Sequence, residues 1–342
     1  MRTRLWIHAV LSAFLAAALV IPSLGATPQP PDPQVMIEAL TRANAAVVGV
    51  EVTATEGARS AETLGKQRSG SGVVIGPDGL ILTIGYLMVE ADNIQVVTQD
   101  NRTVPARPVA YDVATGFGLI RPLLPLRGIV PVLLGSHTEL APGAMVLAAT
   151  GGSDGDVAMT QLVSKRPFSG YWEYHIETAL FTSPPIGNHS GAPLFNQRGE
   201  LLGIGSLFVG DVMGENRRMP GNMFVPVDLL KPILAEMQQT GSTRQSHRPW
   251  LGLTSAQQEG RVRVMRVSND SPAQSAGIVS GDVVLAVDGA QVATLEEFYR
   301  KLWAHPNADD EIILTVLQGV EVKTITLRGV DRMTTMVKPA GI

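Results

Sequence analysis

None of the 342 residues is a cysteine. That absence excludes disulfides, zinc–thiolate sites and thiol catalysis, and it carries no penalty in an oxidising compartment. The chain also lacks any cluster of lysine and arginine, and its formal net charge is −4. Nothing in that pattern calls for a nucleic-acid partner. No spacing of histidine, aspartate and glutamate matches a metal site, and no cofactor is implied. The glycine-rich run Ser69-Gly70-Ser71-Gly72 enters a strand-like segment with no helix behind it, so it is not a phosphate loop. Internal repeats are absent as well.

What is present is a globular composition, 45% hydrophobic and 17% charged, with 35 glycines and 23 prolines separating short runs rich in valine, isoleucine and leucine. That punctuation favours a mainly β interior. Residues 1–25 read as a signal peptide or N-terminal anchor: Arg2 and Arg4 precede an apolar stretch over 5–21, and Ser23-Leu24-Gly25 offers small residues to a signal peptidase. The apolar stretch sits at the lower length limit for spanning a bilayer, so it could also tether the chain to a membrane. Either way the folded part is expected outside the cytoplasm. Residues 26–33 form a Pro-rich tether.

A short helix is expected over 34–42, then a succession of strands: 47–52, 71–75, 80–83, 94–98, 146–150, 174–178, 201–207 and 223–227. Pro77-Asp78-Gly79 and Gln197-Arg198-Gly199-Glu200 provide turn chemistry between such runs. Residues 34–240 make one domain, closed by a helix over 228–239 with Gly241 as its C-cap. Residues 241–248 are polar and read as a linker. A second unit spans 249–330, where Ser271-Pro272-Ala273-Gln274 and Thr294-Leu295-Glu296-Glu297 are helix-capping signatures.

Several segments in consistent order resemble the HtrA/Deg family of exported, trypsin-like proteases with PDZ domains. They are Ser69-Gly70-Ser71-Gly72-Val73-Val74-Ile75 through Thr83, Leu134-Gly135-Ser136, Asn188 to Leu194, Gly199-Glu200-Leu201-Leu202-Gly203, and Trp250-Leu251-Gly252-Leu253 with Gly281-Asp282-Val283-Val284. The resemblance implies a trypsin-like double β-barrel followed by a small α+β PDZ domain, with Ser190 as nucleophile and Asn188 and Ser190 as backbone donors of the oxyanion hole. It also implies a homotrimer and C-terminal peptides of envelope proteins as partners. In that alignment Tyr86 stands at the histidine position and Gly116 at the aspartate position. The intervals of 30 residues (86 to 116) and 74 residues (116 to 190) are those of the family, so misregistration does not rescue the triad.

A serine hydroxyl needs an adjacent base to attack at neutral pH. A phenol with an ordinary pKa of about 10 is protonated there, and glycine has nothing with which to orient a base. Loss of such triad members costs on the order of 10⁶ in turnover. The expectation is a protease fold without proteolysis. If the position two before the serine requires positive φ, Asn188 is the least costly substitute for the family's glycine. The rival is a working endopeptidase using Ser190 with an unusual base such as His175; His189 and Asp112 are weaker candidates, and His137, His247 and His305 read as loop residues. In the second unit, backbone N–H groups of Trp250, Leu251, Gly252 and Leu253 would hold a peptide carboxylate. Leu251, Leu253, Phe298 and Leu302 would form the pocket for its last side chain, unless Phe298 and Leu302 are plain core. Arg248 reads as a linker residue that could add charge to that loop.

Overall fold

The computed structural model describes residues 33–214 and 217–337. The leader over 1–25 and residues 26–32 of the tether lie outside them. Helix α1 (Pro33–Ala45) opens the described chain and buries Ala39 and Ala43. Six strands follow: β1 (Val47–Ala54), β2 (Gln67–Val74), β3 (Ile81–Ile84), β4 (Ala91–Val97), β5 (Thr103–Tyr111) and β6 (Phe117–Pro122), with the one-turn helix α2 (Ala61–Leu64) between β1 and β2. They close into a barrel in the order β1-β2-β3-β6-β5-β4. Closure removes the edges that so many short Val/Ile-rich strands would otherwise expose. A second barrel, ordered β10-β11-β12-β9-β8-β7, is built from β7 (Met145–Ala149), β8 (Val157–Gly170), β9 (Tyr174–Ser183), β10 (Pro193–Phe195), β11 (Leu201–Val209) and β12 (Gly221–Pro226). One apolar cluster runs through both, from Val47, Ile81 and Phe117 to Phe181, Ile204 and Val225, all fully buried.

The turns at 77–79 and 197–200 join β2 to β3 and β10 to β11, with Gly79 and Gly199 at φ 78° and 73°. Where a helix was expected over 228–239, the chain makes a 3₁₀ turn (Val227–Leu229) and then helix α3 (Leu234–Thr240). Pro232 explains the break: it supplies no N–H and pushes the residue before it out of the helical region. Gly241 then ends α3 in the left-handed conformation at φ 81°.

Residues 241–248 are not a loose connector. Thr243 and Ser246 donate their hydroxyls to the buried Asp112 carboxylate. His247 bridges Ser242 and Asp331. Arg248 lays its guanidinium over the Trp303 ring, 3.2 Å from the centroid. The second unit pairs β13 (Pro249–Trp250) with β20 (Val330–Asp331) and builds a sheet from β14 (Leu253–Gln258), β15 (Arg261–Val267), β16 (Val283–Val287), β18 (Glu311–Gln318) and β19 (Glu321–Arg328), with β17 (Ala290–Gln291) paired to β16. Helices α4 (Pro272–Ser275) and α5 (Leu295–Leu302) carry the two expected caps: Ser271 accepts the Gln274 N–H, and Thr294 and Glu297 complete a reciprocal capping box. No helix among the described residues is long and apolar enough to cross a membrane.

Candidate functional site

Ser190 lies on the loop leading into β10, at the seam of the two barrels. Its carbonyl accepts the Ser71 N–H from β2 at 2.8 Å, while the Gly191 N–H reaches the Gly205 carbonyl of β11 at 2.8 Å. Gly191 is required here: its φ is 74°, and a Cβ would stand 2.0 Å from the Ser71 carbonyl oxygen. Tyr86 comes from the short 3₁₀ turn Gly85–Leu87 that ends β3. Its phenol oxygen stands 2.6 Å from Ser190 Oγ and 2.9 Å from the Ser206 carbonyl oxygen. A carbonyl only accepts, so the single phenol proton satisfies Ser206 and the phenol oxygen is left to accept from the serine hydroxyl. Burial pushes the Tyr86 hydroxyl up to about 12, more than its bond to Ser190 lowers it. The group touching Ser190 is therefore a neutral phenol, unable to take the serine proton.

Gly116 has no side chain to offer, and its backbone is committed. Its N–H donates to the Asp112 carbonyl and its own carbonyl accepts the Gly85 N–H, both at 2.7 Å. With φ at 86° it holds a conformation that a side chain strains. Asp112 is spent on the turn and the connector, accepting from the Thr115 N–H and the Thr243 and Ser246 hydroxyls. Asn188 has φ 45°, the left-handed region where asparagine is tolerated best among residues with a side chain. Neither the Asn188 nor the Ser190 N–H has a hydrogen-bond partner among the described residues.

His175 is turned toward the second unit instead of the serine. Its Nδ1 stands 2.9 Å from Ser169 Oγ, and its Nε2 is 3.4 Å from Glu177 Oε1. Glu296 of helix α5 completes a group of three potential ligand atoms with these two residues, which no sequence spacing announced. Arg300 already bridges Glu177 and Glu296. Burial lowers the His175 imidazole below its ordinary value. Burial does the same for His189, which is half-buried beside Ser190.

In the second unit, Leu251 and Leu253 are buried, and Phe298 and Leu302 are fully enclosed in the same apolar cluster. Trp250 pairs with Val330, and Gly252 has φ 85°. Two N–H groups of this loop are taken. Leu251 donates to Glu173 Oε2 at 3.0 Å and Leu253 to Glu173 Oε1 at 2.7 Å. Glu173 sits in the turn between β8 and β9 of the second barrel, and was not among the residues singled out from sequence. The one signal in its vicinity is aromatic density: Phe168, Tyr171, Trp172 and Tyr174 cluster there in a chain only 5% aromatic. Arg248, read as a linker residue, has its guanidinium buried beside this carboxyl; burial brings it down to about 10, against the opposing pull of Asp112, Tyr174 and Glu173.

Residues 70–204 match the trypsin-like peptidase domain and residues 249–328 match the PDZ domain. A protein described as "Probable periplasmic serine endoprotease DegP-like" from Marinomonas sp. (strain MWYL1) is 30% identical over 283 residues, 76% of this chain and 57% of that protein. A second with the same description, from Hahella chejuensis, is 28% identical over 252 residues, 68% of this chain and 50% of that protein. The chain thus spans about half the length of the curated relatives it matches. Among solved structures, the HtrA-type protease AlgW with tripeptide aligns with a TM-score of 0.54 at 21% identity, covering 90% of this chain and 99% of that one. The serine endoprotease from Yersinia pestis aligns with a TM-score of 0.53 at 23% identity, covering 88% and 98%. These likenesses carry the fold: a trypsin-like double barrel followed by a PDZ domain. The two domain matches and the DegP-like relatives thus show a trypsin-like peptidase domain and a PDZ domain in one chain, similar to periplasmic serine endoproteases described as DegP-like.

Proposed function

We propose that this chain is a proteolytically silent HtrA-type protein of the periplasm or another extracytoplasmic space. Its PDZ domain binds C-terminal peptides of envelope proteins, and its barrels serve as a scaffold or regulator in protein quality control. The observation that carries the silence is the contact of Tyr86 with Ser190 Oγ at 2.6 Å. A phenol raised to about 12 by burial leaves Ser190 protonated at any physiological pH. Among the described residues His175 is engaged by Ser169 and Glu177, and Asp112 by Thr115, Thr243 and Ser246, which argues against either as the missing base or its orienting acid. A fluorophosphonate probe tests the reading on purified protein: no labelling is expected, and labelling that disappears in Ser190→Ala would overturn it. Assembly as a homotrimer and a membrane tether through residues 5–21 belong to the same proposal. The exposed apolar side chains of Val35, Ile37, Leu123, Leu124, Val130 and Leu133 favour self-association, and sedimentation velocity measures it.

A further inference from the structure

The edge of β14 that faces away from β15 is not open. The Ser255 N–H donates to the Tyr171 carbonyl at 2.8 Å, two residues along from Leu253, whose N–H holds the Glu173 carboxyl. Alternate N–H groups of one strand point to the same edge, so the segment from Tyr171 to Glu173 takes the position of an added strand. Its carboxyl lies where an added peptide's terminus would be held. Helix α5 closes the other side: the Tyr299 hydroxyl donates to the Gly170 carbonyl at 2.8 Å and accepts the Glu173 N–H at 3.2 Å. Arg300 of α5 pairs with Glu177 just beyond. Glu173 also has φ 55°, a conformation that a non-glycine residue keeps only where its surroundings impose it.

We infer that the β8–β9 turn is a tethered surrogate ligand, with the Glu173 side-chain carboxyl standing in for a peptide's C-terminal carboxylate and Tyr171 for the residue two before it. An outside ligand of the PDZ domain, an extended segment with a free carboxyl end, must displace this turn before it can bind. Because the surrogate is part of the chain, it competes at a high effective concentration, and the affinity seen for outside peptides falls by the fraction of molecules in which the groove is open. The same displacement is felt in the second barrel, since the turn joins two of its strands.

Two measurements on the full chain test this, and only the second rests on the PDZ domain being a peptide binder. In Glu173→Ala, hydrogen exchange over residues 251–255 is expected to accelerate at least about tenfold while the barrel strands stay protected; unchanged exchange would show that the turn does not hold the loop. Should Glu173→Ala fail to fold, the isosteric Glu173→Gln is expected to show a smaller acceleration in the same amides. Second, a fluorescein-labelled decapeptide pool, randomised at its last four positions and carrying a free carboxyl end, is titrated into both proteins beside the same pool C-terminally amidated. The free-acid pool is expected to bind Glu173→Ala at least about tenfold more tightly than wild type, and the amidated pool to bind neither. Equal binding of the free acid to both proteins overturns the occlusion and leaves the PDZ reading intact. Accelerated exchange with no peptide binding overturns the peptide reading, and with it the surrogate role.

Discussion

The Gly85 N–H donates to the Gly116 carbonyl at 2.7 Å, so the two turns that would present a triad's base and acid are joined through backbone alone. The seam survives without the side chains it would be expected to hold. Space is not what keeps a Cβ out: on Gly116 it would stand 3.5 Å from the Tyr174 hydroxyl and 3.6 Å from Ile84 Cδ1, ordinary contact distances. The obstacle is φ at 86°, which costs a side chain about 1–2 kcal/mol. The variant Y86H/G116D is therefore expected to fold with a small loss of stability. Since the Asn188 and Ser190 N–H groups have no partner among the described residues, it is expected to gain fluorophosphonate labelling at Ser190. G116D alone, still lacking a base, is expected to stay dark. A folded double variant that does not label would show that the oxyanion donors are misplaced.

Tyr86 has a structural task as well as an inhibitory one. Its hydroxyl satisfies the Ser206 carbonyl across the barrel seam. Tyr86→Phe keeps the ring and removes that bond, and the expected loss is about 1 kcal/mol in urea unfolding. Ser190 is expected to remain unlabelled, because nothing basic replaces the phenol. Labelling of Tyr86→Phe would mean that another group activates the serine.

The barrels were legible in sequence wherever a β-branched run was dense, as in β1 with Val47, Val48, Val50 and Val52. They were illegible where prolines and charges interrupt it. Thr103–Tyr111 contains Pro105 and Pro108, and Val157–Gly170 carries Lys165, Arg166 and Pro167, yet both are strands because neighbouring strands hold them. The serine loop was legible because its motif is contiguous. The occupied PDZ loop was not: Glu173 meets Leu251 and Leu253 across separations of 78 and 80 residues, and no local pattern encodes a contact made by docking one domain on another.

Arg248 is buried beside that docking. Its guanidinium lies 3.2 Å from the Trp303 ring centroid and is attracted by the charges of Asp112 and Glu173. Removing a buried cation takes away both the ring contact and a charge attracted by Asp112. Arg248→Ala is expected to lose about 2 kcal/mol in thermal or urea unfolding, and to speed exchange at the Leu251 amide. Arg248→Lys is expected to recover only part of this, because an ammonium does not stack as a planar guanidinium does. Full recovery by lysine would assign the effect to charge alone.

The carboxyl of Glu173 gives the docked state a pH dependence of definite sign. Acceptance of backbone N–H bonds ordinarily holds a carboxyl low. Here burial outweighs the Leu251, Leu253 and Gly252 donors and the Arg332 charge, and raises Glu173 above the ordinary 4.5. The docked turn therefore binds a proton more readily than the released one. Its extra stability is fully present below the ordinary carboxyl value and is lost as pH rises through the raised one. Free-acid peptides, ionised above the ordinary carboxyl value, are expected to bind wild type progressively better as the pH is raised from that value through the raised one of the docked Glu173. Other groups facing this carboxyl are Arg248 and Tyr299, neither of which titrates in that window. Glu173→Gln removes the titrating group and keeps the shape, so its peptide affinity is expected to be flat over the same range. A wild-type profile as flat as that of Glu173→Gln would show that Glu173 is not the group whose proton closes the groove.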